Sequence, residues 1–530
     1  MKTFHVEPQW SMYEAVKANI SQSRQKTAIS YYGRNLSFRR VFYLIDVLAE
    51  NFLSGYGVGK GDTVTLCMPN TPSALFCFYA ANKLGAAVNL THPYLPPEKL
   101  LESAEKTKSK LIVVYDSYPA FSSDIPVLES DNGTFMGAAA KAYYRITAKK
   151  SGRKEKLERL LKRKKKGEFA AAARFEEGTA AVYLASGGTT GEPKIIVHGN
   201  DTFNLLCAKA PEFLRYDIEE YEAFYNVLPI FHGFGLCINM HMCMMIRKRN
   251  IMCAKFDAKR SAKEIVKQKA NILTGVPTMY LKLLTRKEFT NADLSHIKDV
   301  FVGGDSAGED LISRFNAVLE RGGSPARMYE GYGLTETVTV CVVNTARHHR
   351  AGSIGYPLSD TKIAVAKDGA FVPAGEVGEI YLSTPQFMQG YLNDASYPFA
   401  EIGGVKWLKT GDYGYLDADG FLYFKQRIKN MIKVSGVPVY PSEVESAALR
   451  VPGVKKACAI GVFDEVKGQK VKLYVQAERD GEEFRREILA ACKEQLIAYA
   501  VPKEVVVRDR LPVSLIGKID RKALEEENGK

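Results

Sequence analysis

No stretch of this chain approaches the roughly 20 uninterrupted apolar residues of a membrane-spanning helix, which sets aside an integral helical membrane protein. The opening residues, MKTFHVEPQWSMYEAV, lack the apolar segment of a secretory signal, so a cytoplasmic location is expected. The nine cysteines are scattered, odd in number and without a C-x-x-C pair, which argues for reduced thiols and against a disulfide frame or a zinc site. The eight histidines show no metal-ligand spacing, and His348 with His349 reads as a solvated pair.

A general excess of positive charge is also missing, although the net charge is +13. Residues 141–166 hold thirteen lysines and arginines against two acids, a surplus of eleven, so the rest of the chain is nearly neutral. The most basic part has no interleaved aromatics, so nucleic acid is not an expected partner. Leu157, Leu160 and Leu161 stand at helical spacing among lysines. That pattern reads either as a solvated surface excursion or as a short basic amphipathic helix, and the latter gives an expected peripheral membrane contact through 149–166.

At 530 residues the chain is long enough for two or more domains with full cores. After a helix, a short hairpin over 30–38 and a second helix, strand-like runs such as TVTLC and LIVVY alternate with helical ones. That alternation predicts layered α/β structure with largely parallel sheets. From about residue 352 short strands are separated by D-G and G-G turns, which predicts an antiparallel subdomain. A third pattern follows: helix over 441–449, strands over 457–462 and 471–477, helix over 482–498 and strand over 504–508. The fold expected is α/β: a large N-terminal domain of layered sheets plus a small antiparallel subdomain over 1–426, with the basic insert at 141–168, and a small α+β domain over 427–530.

The stretch around which this is organised is 183–198, YLASGGTTGEPKIIVH. Hydroxyls, flexible backbone and one lysine at a strand end suit a bed of donors around phosphate oxygens, though a plain glycine-rich turn fits equally well. It is not a Walker A loop: Glu192 and Pro193 separate Gly191 from Lys194, and a strand-like run follows where a helix should start. Several other strand ends carry Gly, Thr, His or acid, and ligands bind at such ends in open α/β sheets. The apolar run 237–246 holds Met240, Met242, Met244 and Met245, either core or an adaptable pocket wall.

Taken together and in order, SGGTTGEPK, PIFHGFGL, YGLTE, KTGDYG, QRIKN and LIGKID make the chain resemble the adenylate-forming superfamily: acyl-CoA synthetases, firefly-type luciferases and peptide-synthetase adenylation domains. The resemblance covers nearly the whole chain and implies ATP and Mg²⁺ as reactants, a carboxylic acid as substrate, and a mobile C-terminal domain. It implies that Ser186, Gly187, Gly188, Thr189, Thr190, Gly191 and Lys194 grip the β- and γ-phosphates. Gly303, Gly304 and Asp305 would form the adenine-side strand end, Tyr332 and Gly333 the adenine element, Thr335 an α-phosphate contact and Glu336 the metal ligand. Asp412 and Arg427 would hold the ribose, Lys518 would be the catalytic lysine, and Lys429 the hinge. Lys433, Ser435 and Gly436 would serve coenzyme A in the thiol step.

Three departures from the family pattern stand out: Gln426 before the junction arginine, the Gly187–Gly188 pair, and Ile195 after Lys194. Amino-acid-activating members carry an aspartate where this chain has His232, so an apolar acid, fatty or aryl, is expected, with Phe231, His232 and Phe234 at its pocket. An acyl-CoA synthetase is the leading expectation. Two alternatives stay open: a free-standing ligase that loads an acyl or peptidyl carrier protein, and a binding protein of the same fold without turnover.

Overall fold

The computed structural model describes residues 6–21, 23–148, 155–162, 169–186, 194–394, 398–427, 430–435, 437–513 and 519–529. Gly187, Gly188, Thr189, Thr190, Gly191, Lys429, Gly436, Lys518 and, within the basic insert, 149–154 and 163–168 lie outside them.

Among the described residues four sheets form. In the first, six parallel strands, Met328–Gly333, Asp299–Gly303, Ile272–Gly275, Ala223–Asn226, Arg249–Met252 and Thr27–Tyr31, lie side by side in that order. Antiparallel strands close both of its edges. The second sheet has a parallel centre, Val182–Ala185, Ala87–Leu90, Thr63–Cys67, Ser109–Tyr115 and Val127–Ser130, with Ile195–His198 and Gly390–Tyr391 antiparallel at one edge. The third, built from segments between Lys362 and Arg427, is antiparallel throughout. The fourth belongs to the C-terminal part: Ile432–Val434, Val437–Val439, Val454–Asp464, Gly468–Ala477 and Glu504–Arg508, packed with helices Pro441–Leu449 and Glu482–Gln495 around a core of its own. This is the α/β architecture with a smaller α+β C-terminal domain that the residue patterns predict.

One core runs through both parallel sheets. At its centre the helix Pro72–Lys83, PSALFCFYAANK, is buried at every position, as a helix apolar all round must be. Its start is set by Pro72 at the first helical position and by Thr71, whose hydroxyl accepts from the Ala74 N–H. The polar end is compensated: Lys83 pairs with Asp46 at 2.6 Å, and Asn82 Oδ1 accepts from the Tyr13 N–H at 2.9 Å.

The basic insert corrects one expectation. Its helix Leu157–Lys162 turns Leu157, Leu160 and Leu161 into the protein's own core, and Asn51 Nδ2 donates to the Leu160 carbonyl at 3.3 Å. Lys156 pairs with the fully buried Glu129, and Glu158 accepts from the Asp131 N–H at 2.9 Å. Burial pushes the Glu158 carboxyl up to about 7. The apolar face on which the membrane contact rested is therefore used internally. Among the described residues no helix is long and apolar enough to cross a membrane.

Candidate active site

The carboxyl ends of the first sheet's parallel strands open into a cavity of about 1000 Å³. Ser186, Lys194, the 331–340 segment and the antiparallel sheet form one end, and apolar side chains most of the other.

The polar end is built on Asp412, which is 2% exposed. Strands Val405–Leu416 and Leu422–Arg427 pair so that Asp412 faces Arg427 across the ladder, and Arg427 Nε lies 3.4 Å from its carboxylate. The Tyr332 hydroxyl donates to the other oxygen at 2.7 Å, and the Thr410 hydroxyl accepts from the Asp412 N–H at 3.1 Å. Partners of this kind offset the cost of burying a carboxylate. Burial and then the Asp412 charge hold the Tyr332 hydroxyl protonated, well above its usual range.

Glu336 follows the same strand end. Its carboxylate accepts from the Tyr391 hydroxyl at 2.9 Å. Lys194 lies 2.9 Å from Asp394 and 4.5 Å above the Tyr391 ring. Behind them His198 Nε2 donates to the Thr335 carbonyl at 2.7 Å, and burial pushes this imidazole down to about 4, so it stays neutral. Among the described residues no group of three acid, His or Cys side chains could cage a metal. A single carboxylate beside a phosphate site fits Mg²⁺, which keeps waters and phosphate oxygens as its other ligands.

The wall between the two ends is strained. Val338 has φ 67° and ψ −58°, and the Thr339 N–H donates to the Thr337 carbonyl at 2.8 Å, a γ-turn of the rare positive-φ kind. Two glycines make room for it. A Cβ on Gly333 would stand 1.5 Å from the Thr339 oxygen, and one on Gly233 would stand 1.7 Å from the Val338 oxygen.

The apolar end starts at the 228–235 loop, clipped by Asn70, whose amide donates to the Leu228 carbonyl at 2.7 Å and accepts from the Ile230 N–H at 3.0 Å. The His232 ring lies tilted against Phe231, which in turn meets His92 with ring centres 4.7 Å apart. The chain then enters a π-helix, Phe234–Met242, a rare form that clusters at functional sites. Phe234, Ile238 and Met242 face the cavity. Polar residues anchor the helix elsewhere: His241 bonds Tyr79 at 3.0 Å and Asn204 at 2.9 Å, and Asn239 accepts from Thr274 at 2.5 Å. Phe213, Leu214, Phe224, Ile272, Phe301 and Val343 add to the apolar lining, and Lys255 and Lys282 also border the cavity. Met240, Met244 and Met245 are core.

Of the residues singled out in the sequence, Ser186, Lys194, Phe231, His232, Phe234, Gly303, Gly304, Asp305, Tyr332, Gly333, Thr335, Glu336, Asp412 and Arg427 line this one cavity. Lys433 and Ser435, in and just after the strand Ile432–Val434, do not. The segments flanking Lys518 bridge through Val513 and Ile519, and Arg521 pairs with Glu445 at 2.6 Å. Burial raises the Glu445 carboxyl, and the Asp305 charge, just beyond the strand Asp299–Gly303, raises it further. Sequence reading missed Asn70, His92, His198, Tyr391 and Asp394. The MPN, THPY and GYLND runs that hold four of them were the available signals, each at or just beyond a strand end.

The family described as AMP-binding enzyme matches residues 16–392, and its C-terminal domain family matches 443–518. The chain is 30% identical to a long-chain-fatty-acid–CoA ligase of Bacillus subtilis (strain 168), over 98% of this chain and 95% of that protein. Among solved structures, o-succinylbenzoate CoA synthetase from Bacillus subtilis in complex with its acyl-adenylate intermediate superposes with a TM-score of 0.80 at 25% identity, covering 98% of both chains. The same enzyme in complex with ATP and magnesium ion gives 0.78 at 25% identity, over 98% of this chain and all of that one.

Proposed function

The chain belongs to the AMP-binding enzyme family, and from that premise we propose that it is an AMP-forming acid–thiol ligase that joins an apolar carboxylic acid to coenzyme A. The relatives named above act on different acids, and a CoA ligase is what they share. The carrying observation is the two-ended cavity: charged groups suited to a nucleotide at one end and a largely apolar pouch at the other, with Lys255 and Lys282 also among the cavity's lining. A largely apolar pouch whose charged lining residues outside the nucleotide end are cations favours a fatty or aryl acid over one with an ammonium group.

In the first step the acid's carboxylate attacks the α-phosphorus of ATP. The new acyl–phosphate bond forms as the bond to pyrophosphate breaks, and pyrophosphate leaves with the electron pair. Asp412, held by Tyr332 and Arg427, accepts from the ribose hydroxyls. Ser186 through Gly191 and Lys194 hold the β- and γ-phosphates. Thr335 contacts the α-phosphate, and Gly303, Gly304 and Asp305 border the adenine. Lys518 bridges carboxylate and phosphate as negative charge builds between them. Glu336 would hold Mg²⁺, which screens the charge of the leaving pyrophosphate. In the second step the coenzyme A thiol, losing its proton, attacks the acyl carbon and releases AMP. Lys433, Ser435 and Gly436 serve this step after the domain beyond 427 turns about Lys429. A cytoplasmic setting supplies ATP and coenzyme A.

The test is ATP–pyrophosphate exchange across a panel of fatty and aryl acids, followed by discharge with free coenzyme A. Exchange with apolar acids and discharge by free coenzyme A are expected. Exchange with none of them would overturn the ligase reading. Discharge only by a phosphopantetheinyl protein would reassign the acceptor to a carrier protein.

A further inference from the structure

We propose that residues 388–394 form a positioning strap for nucleotide binding, in which Tyr391 orients Glu336 and Asp394 parks the Lys194 ammonium until a triphosphate takes it. This rests on the nucleotide reading given above.

The strap is fastened to both halves of the phosphate site. The Met388 N–H donates to the Glu336 carbonyl at 2.7 Å, while the Gln389 and Leu392 N–H groups donate to the Val197 and Ile195 carbonyls at 2.8 Å each. Tyr391 pairs with Ile196 in the ladder, so its side chain is set between the strand that leaves the phosphate loop and the segment that carries Glu336. That one side chain touches both charged groups: its hydroxyl donates to Glu336 Oε1 at 2.9 Å, and its ring lies 4.5 Å from Lys194 Nζ. A donor fixed on one carboxylate oxygen sets the direction of the other. The ring beneath the ammonium favours Lys194 near the triphosphate path.

Asp394 completes the device. The Lys194–Asp394 pair, 2.9 Å apart, is 42% and 33% exposed, and pairs that open to water contribute little net stability. Phosphate oxygens of higher charge would displace the aspartate at small cost, and the aspartate keeps the lysine ordered until they arrive.

The test measures binding of α,β-methylene-ATP, which cannot be cleaved at the reacting bond, by titration calorimetry over a range of Mg²⁺ concentrations, with AMP as the control ligand. Tyr391→Phe keeps the ring and removes the hydroxyl. It is expected to weaken analogue binding at saturating Mg²⁺ about tenfold and to leave AMP binding unchanged. Asp394→Asn is expected to tighten analogue binding about threefold by removing a competitor and a like charge. Unchanged Mg²⁺ dependence in Tyr391→Phe, or equal weakening for AMP, would overturn the strap while leaving the ligase reading intact. Failure of the parent protein to bind the analogue would overturn both.

Discussion

The two ends of the cavity are built in opposite ways. At the nucleotide end each charged group comes from a short contiguous motif, and dedicated polar partners, most of them distant in sequence, hold it in place. Asp412 has its own strand's Thr410 and the facing Arg427, and Glu336 has the strap at Tyr391. At the acyl end Phe213, Phe224, Ile238, Ile272, Phe301 and Val343 come from six separate segments and no motif. A charge must be placed to within an ångström or so and stripped of water, which demands dedicated partners. An apolar wall asks only for volume and the absence of charge, and many residue combinations supply that. The nucleotide end should therefore respond to substitution in the same way with every acid, and the acyl end differently with each.

The largest expected effect is that of Lys518→Ala, a drop of about a thousandfold in ATP–pyrophosphate exchange with all acids, while thioester formation from supplied acyl-adenylate persists. A drop that varied with the acid would break the contrast between the ends. Next comes Asp412→Asn, which leaves Arg427 without its counter-charge. We expect the KM for ATP to rise about ten- to a hundredfold whatever the acid, read from exchange kinetics with two acids of different length.

A buried histidine stands behind each end, and the two differ in what backs them. His198 carries the Thr335 carbonyl, and His241 anchors the π-helix; burial pushes them down to about 4 and about 3. Both bind a proton more readily unfolded, near 6.5, than folded. Their contribution is therefore fully present above about pH 6.5, declines as pH falls below it, and is completely lost below the folded values. Each is worth about 3 to 5 kcal/mol at the acid limit. Melting midpoints of His198→Gln and His241→Gln should fall less between pH 7 and 5 than that of the parent protein. The smallest effect is expected for Ile238→Phe, a several-fold shift in KM toward shorter acids with the KM for ATP unchanged. A matching change in ATP kinetics would show that the ends are coupled.

Local chemistry was legible where it is written in adjacent residues. Pro441 marks a helix start, and the helix Pro441–Leu449 has the bounds the pattern predicts. The apolar runs on either side of the glycine-rich segment form strands, Val182–Ala185 and Ile195–His198, paired antiparallel. The insert shows where reading stops. The spacing of Leu157, Leu160 and Leu161 identifies an apolar helix face, but the same face suits a bilayer or a groove in the protein, and only the fold supplies the groove.

By itself the sequence determined the broad element types and the succession of α/β, antiparallel and α+β parts, and it supplied the motifs from which a nucleotide site is proposed, because propensities, caps and contiguous motifs act over a few residues. Tertiary structure alone decided the strand order, the burial of Leu157, Leu160 and Leu161, the γ-turn at Val338 between Gly233 and Gly333, and the meeting of Tyr391 and Asp394 with Glu336 and Lys194. These depend on contacts between residues far apart in the chain, where each partner is an ordinary side chain until the fold brings it to the other.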